Sequence, residues 1–260
     1  VGAAHLTCSA AVRAGAGIVT LAAPRWLRDT LAPRLAEVTY LPLPDAGPVG
    51  NASACVAAIA AEIDRYDALA IGPGLSGEGE VTSFVGQVAQ LAAERALPMG
   101  IDADALNALA RTPNWQTLVG PMSILTPHPG ELGRLTGSGV APEPPWSLAE
   151  QLAREWGVTL IAKGAITAIG SAQGTWVHAR PNPALATGGT GDVLTGIVGG
   201  LLARGLEPAA AARLGVWVHG TAGSLAATGV PAGGLAASDL LPCVPAAMAQ
   251  TLVRPGTRPR

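Results

Sequence analysis

Short apolar runs alternate with segments of helical period along almost all of this 260-residue chain, and no other feature restricts the fold as much. Residues 18–22, 38–43, 68–71, 98–101, 123–125 and 159–162 read as strands, and 168–169 with 175–178 as a hairpin. Between them, 3–14, 53–65, 81–95, 105–110 and 148–156 carry helical spacing; a further helix begins near Gly191 and another spans 207–228. Ser53 and Asp104 stand where they would cap the helices that follow, and Ser238 where it would cap a last short one. Strands that recur with a helix between them pair in parallel. The expected class is therefore α/β, a central and mostly parallel sheet flanked by helices on both faces. The proline-rich stretch 142–145 is the best candidate boundary, yet the pattern resumes unchanged after it, so residues 1–260 read as one domain.

Such a sheet has to be packed from unusual material. Hydrophobic residues make up 49% of the chain but aromatics only 3%, while glycine occupies 34 positions. The core is expected to be small and aliphatic, with backbones in close approach. Charged residues are 13%, and 16 basic against 18 acidic groups leave a net charge of −2, which gives no footprint for nucleic acid. The stretch from Leu214 to Ser238 has no Asp, Glu, Lys or Arg, but its six glycines, Pro231 and His219 suit a buried helix and loop better than a membrane span. Nothing at the start resembles a signal peptide: no basic segment opens the chain, and Arg13 interrupts the first apolar stretch. Cys8, Cys55 and Cys243 are scattered without metal-ligand spacing, which fits reduced structural thiols in a cytoplasmic protein.

In open α/β sheets ligands bind beyond the carboxyl ends of the strands, and the chemically suggestive residues fall there. Gly188, Gly189, Thr190 and Gly191 form a candidate anion cradle. Glycines let N–H groups converge, and the helix that follows adds its positive end. Asp192, in the first turn, is placed to take a proton from a hydroxyl. The plain alternative is a glycine turn with a capping Asp. Neither a P-loop nor the G-x-G-x-x-G dinucleotide pattern matches the segment. His128 is pinned between Pro127 and Pro129; Glu131 begins a helix and either reaches a metal ion or simply caps. Asp102, with Asp104 and Asn107, could line a cleft or order Mg²⁺ waters. Lys163, the sole lysine, ends a buried strand, where it needs an anion or a carboxylate as partner. His5, His178 and His219 show no partner spacing and read as core or surface residues.

Taken in order, Ala-Ile-Gly-Pro-Gly-Leu (70–75), Asp-Ala-Asp-Ala-Leu-Asn (102–107), Leu-Thr-Pro-His-Pro-Gly-Glu (125–131), Lys-Gly-Ala-Ile-Thr (163–167) and the segment 182–196 resemble the ADP/ATP-dependent NAD(P)H-hydrate dehydratase family. Gly2-Ala3-Ala4 and Arg13–Gly17 are similar to its opening helix, so the resemblance covers nearly the whole chain. It implies a ribokinase-like fold. It also implies a repair reaction, in which (S)-NADH hydrate or (S)-NADPH hydrate is dehydrated with ADP or ATP and Mg²⁺, by phosphorylation of the hydrate hydroxyl and elimination of phosphate. Ala3, Gly74, His128 and Asp192 would contact the hydrate. Lys163, Gly164, Ala165, Ile166, Thr167 and Gly191 would contact the adenine nucleotide, and Glu131 holds the place of a metal-organising acid. The resemblance further implies a homo-oligomer such as a tetramer, and many members carry an epimerase domain at the N-terminus. Two departures stand out: Ser76 replaces a usual glycine, and the family's first strand with its glycine-rich loop does not precede Gly2. A ribokinase-fold kinase acting on a small alcohol or vitamin precursor is the alternative reading.

Overall fold

The computed structural model describes residues 1–44, 51–77, 80–139, 146–230 and 233–251. Its first part runs α1 (Gly2–Arg13), β1 (Val19–Pro24), α2 (Arg25–Leu31), β2 (Val38–Leu43), α3 (Ala52–Ala60) and β3 (Leu69–Ile71). Next come α4 (Val81–Glu94), β4 (Met99–Ile101), α5 (Ala103–Ala110), β5 (Ser123–Leu125), α6 (Pro129–Leu135) and α7 (Trp146–Trp156). Strands β6 (Thr159–Ala162), β7 (Thr167–Ser171) and β8 (Gly174–His178) precede four helices, α8 (Thr190–Ala203), α9 (Pro208–Ala226), α10 (Ala237–Leu240) and α11 (Val244–Gln250). The stretch 142–145 lies outside the described residues.

Six strands form one sheet in the order β3-β4-β5-β6-β7-β8. The first four are parallel, and β7 and β8 add an antiparallel hairpin. β1 and β2 pair in parallel as a separate ribbon. Alternation of side chains along a strand then builds two cores, one on each face. Met99, Ile101, Leu125 and Leu160 point to the face covered by α3, α4, α5 and α7. Ile124 and Ile161 point to the other, where Ile197, Val198 and Leu201 of α8 and Val216 and Val218 of α9 meet them. The small-residue packing anticipated from composition appears between α1 and α8, where a Cβ on Gly196 would lie 2.2 Å from the Thr7 carbonyl oxygen.

The strands lie within a residue or two of their expected places, and the helix caps do not. Asn51, not Ser53, caps α3, accepting from the Ala54 N–H at 2.9 Å. Ser238 lies inside α10, which begins one residue earlier with Asp239 Oδ2 holding the Ala236 N–H at 2.9 Å. Helices α2 and α11, seven residues each, were not expected.

Candidate active site at the carboxyl ends of the strands

The strand ends are stitched to one another by backbone bonds. Ile71 accepts from the Asp102 N–H at 3.1 Å, Ile101 from Thr126 at 3.0 Å, and Pro127 from Lys163 at 2.8 Å. This brings Asp102, the loop from Thr126 to Glu131, and Lys163 side by side. The chain leaves β3 through Gly72 at φ +128°, where a Cβ would sit 1.7 Å from the Asp102 carbonyl oxygen, so no other residue fits. Ala103, directly after Asp102, holds φ +49°, a left-handed conformation that is unusual for alanine and typical of functional sites.

Asp102 is only 2% exposed and both its oxygens are committed. Oδ1 accepts from Lys163 Nζ at 2.7 Å and Oδ2 from Thr195 Oγ1 at 2.6 Å. Thr195 stands one turn into α8, so this carboxylate fastens the lysine that follows β6 to the start of α8. The expected pairing of the sole lysine with a carboxylate is present. The expected cap is not Asp104: Asp102 is the residue before α5, its side chain makes no capping bond, and Asp104 Oδ2 accepts from the Ser76 N–H at 2.8 Å. Asn107 likewise turns away, with Oδ1 holding Arg134 Nε at 2.9 Å.

Helix α8 opens beside this cluster. No side chain caps it, and the first N–H groups of a helix have no carbonyl of their own to bond. A Cβ on Gly191 would lie 3.5 Å from Lys163 Nζ and 3.7 Å from Asp102 Oδ2, so the open end of the helix, the ammonium and the buried carboxylate share one space. Gly189, at φ +91°, turns the chain into the helix, and Gly188 is exposed. Thr190 serves the loop instead of the cradle: its hydroxyl donates to the Leu185 and Thr187 carbonyls at 2.8 and 2.9 Å, and its N–H to Thr187 at 3.3 Å. The half-buried Asp192 carboxyl is pushed above its ordinary range, by burial first and by the negative charge of Asp102 second, with Lys163 opposing. Such a carboxylate is a better proton acceptor than one in water.

His128 caps α6 through a reciprocal box. Its Nδ1 accepts from the Gly130 N–H at 3.0 Å, and Glu131 Oε2 accepts from the His128 N–H at 2.8 Å. The imidazole is therefore held with Nδ1 bare of a proton, and burial and then Lys163 push its pKa down. Glu131 is 5% exposed and is pushed up by burial, while Lys163 and the His128 backbone bond pull the other way. Ala3 meets the loop after β3, where a Cβ on Gly74 would come within 3.3 Å of the Ala3 Cβ. Gly164, Ala165 and Ile166 form the turn from Lys163 to β7, which Thr167 opens, with Gly164 and Ala165 exposed. Among the described residues no group of three or more His, Cys, Asp or Glu side chains is arranged as a metal site.

Two residues of the neighbourhood were not anticipated. Thr195 carried a signal, since it lies four residues after Gly191 and bonds its carbonyl at 3.1 Å, but nothing in the sequence linked it to Asp102. His219, on α9, is buried beneath the cradle with Nε2 2.9 Å from the Thr190 carbonyl, and burial pushes its pKa down to about 4. It reads correctly as a core histidine, but one that holds the loop.

A family model for NAD(P)H-hydrate dehydratase matches residues 1–245. The bifunctional NAD(P)H-hydrate repair enzyme Nnr of Moorella thermoacetica is 41% identical over 248 residues, which are 94% of this chain and 46% of that protein. The ADP-dependent (S)-NAD(P)H-hydrate dehydratase of Xanthomonas campestris is 32% identical over 247 residues, 94% of this chain and 82% of that one. The ADP/ATP-dependent NAD(P)H-hydrate dehydratase of Bacillus subtilis, crystallised with ATP/Mg²⁺ and soaked with CoA, is similar at a TM-score of 0.76 and 30% identity, covering 96% of this chain and 87% of that one. This chain thus spans less than half the length of the Moorella protein. The ribokinase-like fold reaches further, to solved structures at 22% identity and below.

Proposed function

The chain belongs to the NAD(P)H-hydrate dehydratase family, and from that premise we propose that it converts (S)-NADH hydrate and (S)-NADPH hydrate to NADH and NADPH at the expense of ADP. The observation that carries the reading is the uncapped start of α8, which opens onto Lys163 and has Asp192 in its first turn. Asp192 takes the proton from the hydrate hydroxyl as that oxygen attacks the terminal phosphorus of ADP, and AMP departs. Lys163, and the helix N–H groups of Gly191 and Asp192, oppose the charge on the phosphoryl group in transit. The carbon that bears the phosphate then loses it as the ring nitrogen pushes its electron pair into the C–N bond, and the neighbouring ring carbon gives up a proton, so that the ring double bond forms and the nitrogen regains its pair. Hydrate and ADP give NAD(P)H, AMP and phosphate, so the water lost by the hydrate is the water gained by the nucleotide.

Ala3, Gly74 and His128 are assigned to the hydrate, and the 163–167 turn with Gly191 to the nucleotide. Mg²⁺ would enter largely on the nucleotide phosphates, as this ion does where dedicated carboxylate cages are absent, and Glu131 would reach it only by turning Oε1 from His128 Nε2, 3.4 Å away, since Oε2 holds the α6 cap. Its chemistry there is to neutralise phosphate charge. The protein is proposed to work in the cytoplasm, as a homo-oligomer, and alongside an epimerase activity that supplies the S form. Of its helices, none among the described residues is long and apolar enough to cross a membrane.

The test is to incubate the protein with NADH hydrate, Mg²⁺ and ADP and to follow the absorbance of restored NADH. NADH with AMP and phosphate in equal amounts supports the reading; a stable phosphorylated product identifies an alcohol kinase instead. Asp192→Asn is expected to abolish turnover and to leave ADP affinity within a few-fold, and wild-type rates in that variant would remove Asp192 as the base.

A further inference from the structure

Helices α5 and α6 pack on the face of the sheet opposite α8, and a second basic place lies between them. Asp104, Asn107 and Arg111, spaced by three and four residues, share one side of α5 and its last residue. Arg134, in the last turn of α6, faces them and donates from Nε to Asn107 Oδ1 at 2.9 Å. With Gly77 and Gly133 these residues line an open cleft of about 560 Å³, the size of a small-molecule site and more than a single ion requires.

Both guanidinium groups are exposed, and neither has a carboxylate partner among the described residues, whereas Arg65, Arg95 and Arg154 each pair with one. Arg111 reaches the Thr82 hydroxyl, from Nε at 3.4 Å and from Nη2 at 3.3 Å, and Arg134 holds a neutral amide. Asp104 is the one acid among the described residues lining the cleft, and its Oδ2 is committed to the Ser76 N–H at 2.8 Å. Two positive charges therefore stand over an open space with nothing equal to oppose them.

The cleft adjoins the residues assigned to the hydrate. Gly77 continues the loop that holds Gly74, and a Cβ on Gly130 would lie 3.0 Å from His128 Cε1 and 3.6 Å from Arg134 Nη1, so the imidazole and the guanidinium flank one glycine. The adenine nucleotide already has its charged partners in Lys163 and the start of α8, on the other side of the sheet. The hydrate is itself a dinucleotide: one ribose separates its reacting ring from a pyrophosphate, and the NADPH form carries a further phosphate on the second ribose. A guanidinium free of carboxylates presents parallel N–H donors that match phosphate oxygens.

We propose that Arg111 and Arg134 form the subsite for the phosphate groups of the hydrate, anchoring the substrate at a distance from the ring that reacts. Asn107 positions Arg134 by holding its Nε. The identity of the substrate rests on the reading above; the basic cleft rests on its own geometry.

The test uses Arg111→Gln, Arg134→Gln and Arg134→Lys. NADH and NADPH, titrated without ADP and followed by their fluorescence, report on the cleft independently of turnover. Each Gln variant is expected to weaken dinucleotide binding and raise KM for the hydrate by about tenfold, with kcat lowered less than about threefold and ADP affinity unchanged. Arg134→Lys, which keeps the charge, is expected to recover part of the affinity. Equal losses for NADH and NADPH assign the pyrophosphate, and a loss confined to NADPH assigns the 2′-phosphate. Reduced nicotinamide riboside, which has no phosphate, is expected to bind the parent and the variants alike. Parent-like affinity for both dinucleotides in both Gln variants, or an equal loss for the riboside, would overturn the subsite. NADPH binding that depends on these arginines in a protein that cannot restore NADH from its hydrate keeps the subsite and removes the reaction; hydrate turnover untouched by either Gln substitution does the reverse.

Discussion

Replacing Asp102 by Asn separates the charge of this carboxylate from its shape. Asn keeps an oxygen for the Thr195 hydroxyl but turns an amide toward Lys163, which sat 2.7 Å from Oδ1. Removing one member of a buried ion pair costs about 3–5 kcal/mol, because the remaining charge is left uncompensated. The Lys163 side chain is 20% exposed, so water can recover part of that loss, and the expected cost is about 2–3 kcal/mol. At roughly 2–4 °C per kcal/mol for a chain of this size, Tm should fall by about 5–10 °C. Lys163→Met strands the carboxylate instead and should cost a similar amount. With both replaced, no buried charge is left alone, and the double variant should be about 2 kcal/mol more stable than the sum of the singles predicts. Urea unfolding of the four proteins at pH 7 measures each value. A cost below about 0.5 kcal/mol for Asp102→Asn, or strict additivity in the cycle, would refute the claim that this pair ties the end of β6 to the start of α5.

The same physics gives two further expectations. The Asp192 carboxyl titrates above its ordinary 3.8 in the folded protein, so its stabilising contribution is complete below that pH and is lost as pH rises through the folded value. Asp192→Asn should therefore raise Tm at pH 7 and leave it unchanged near pH 3, and an equal gain at both pH values would contradict the burial argument. His219 is shifted from 6.5 to about 4, so its contribution is complete above pH 6.5 and lost as pH falls through about 4, a change of about 3 kcal/mol. His219→Gln can still donate to the Thr190 carbonyl but cannot titrate, and the fall in unfolding free energy between pH 7 and pH 4.5 should be smaller in it than in the parent.

The strands could be read in the sequence because burial on both faces leaves few alternatives for a run such as 123–125 or 159–162. Caps could not, because Ser53 and Asn51 are both good capping residues and the choice between them depends on where α3 lands. Asp104 was misread as a cap for a related reason. Ala103 takes a left-handed conformation that no propensity favours, and this starts α5 early enough to leave Asp104 facing Ser76. The positions of Asp102, His128 and Lys163 were visible as strand ends. The bonds Asp102 makes were not, since Thr195 lies 93 residues away and only the docking of α8 on the sheet brings it near.

The scarcity of charge bears directly on how this site works. With charged residues at 13% of the chain and one lysine in all, the ionic groups beside α8 have few competitors. Lys163 acts on His128, Glu131 and Asp192 alike, and Asp102 pushes Asp192 and Glu131 upward while holding the lysine that pulls them down. A phosphate arriving at Gly191 would draw on the same ammonium, loosening its hold on Asp102 and on the two carboxyls together. On the proposed reading, nucleotide binding and the proton affinity of Asp192 are coupled through Lys163, and the coupling has a sign. Attraction of Lys163 to phosphate weakens its downward pull on Asp192, so the carboxylate gains basicity when the phosphoryl donor is in place. On the proposed reading the base is strongest with its donor in place, so the hydrate hydroxyl is activated most when nucleotide is bound.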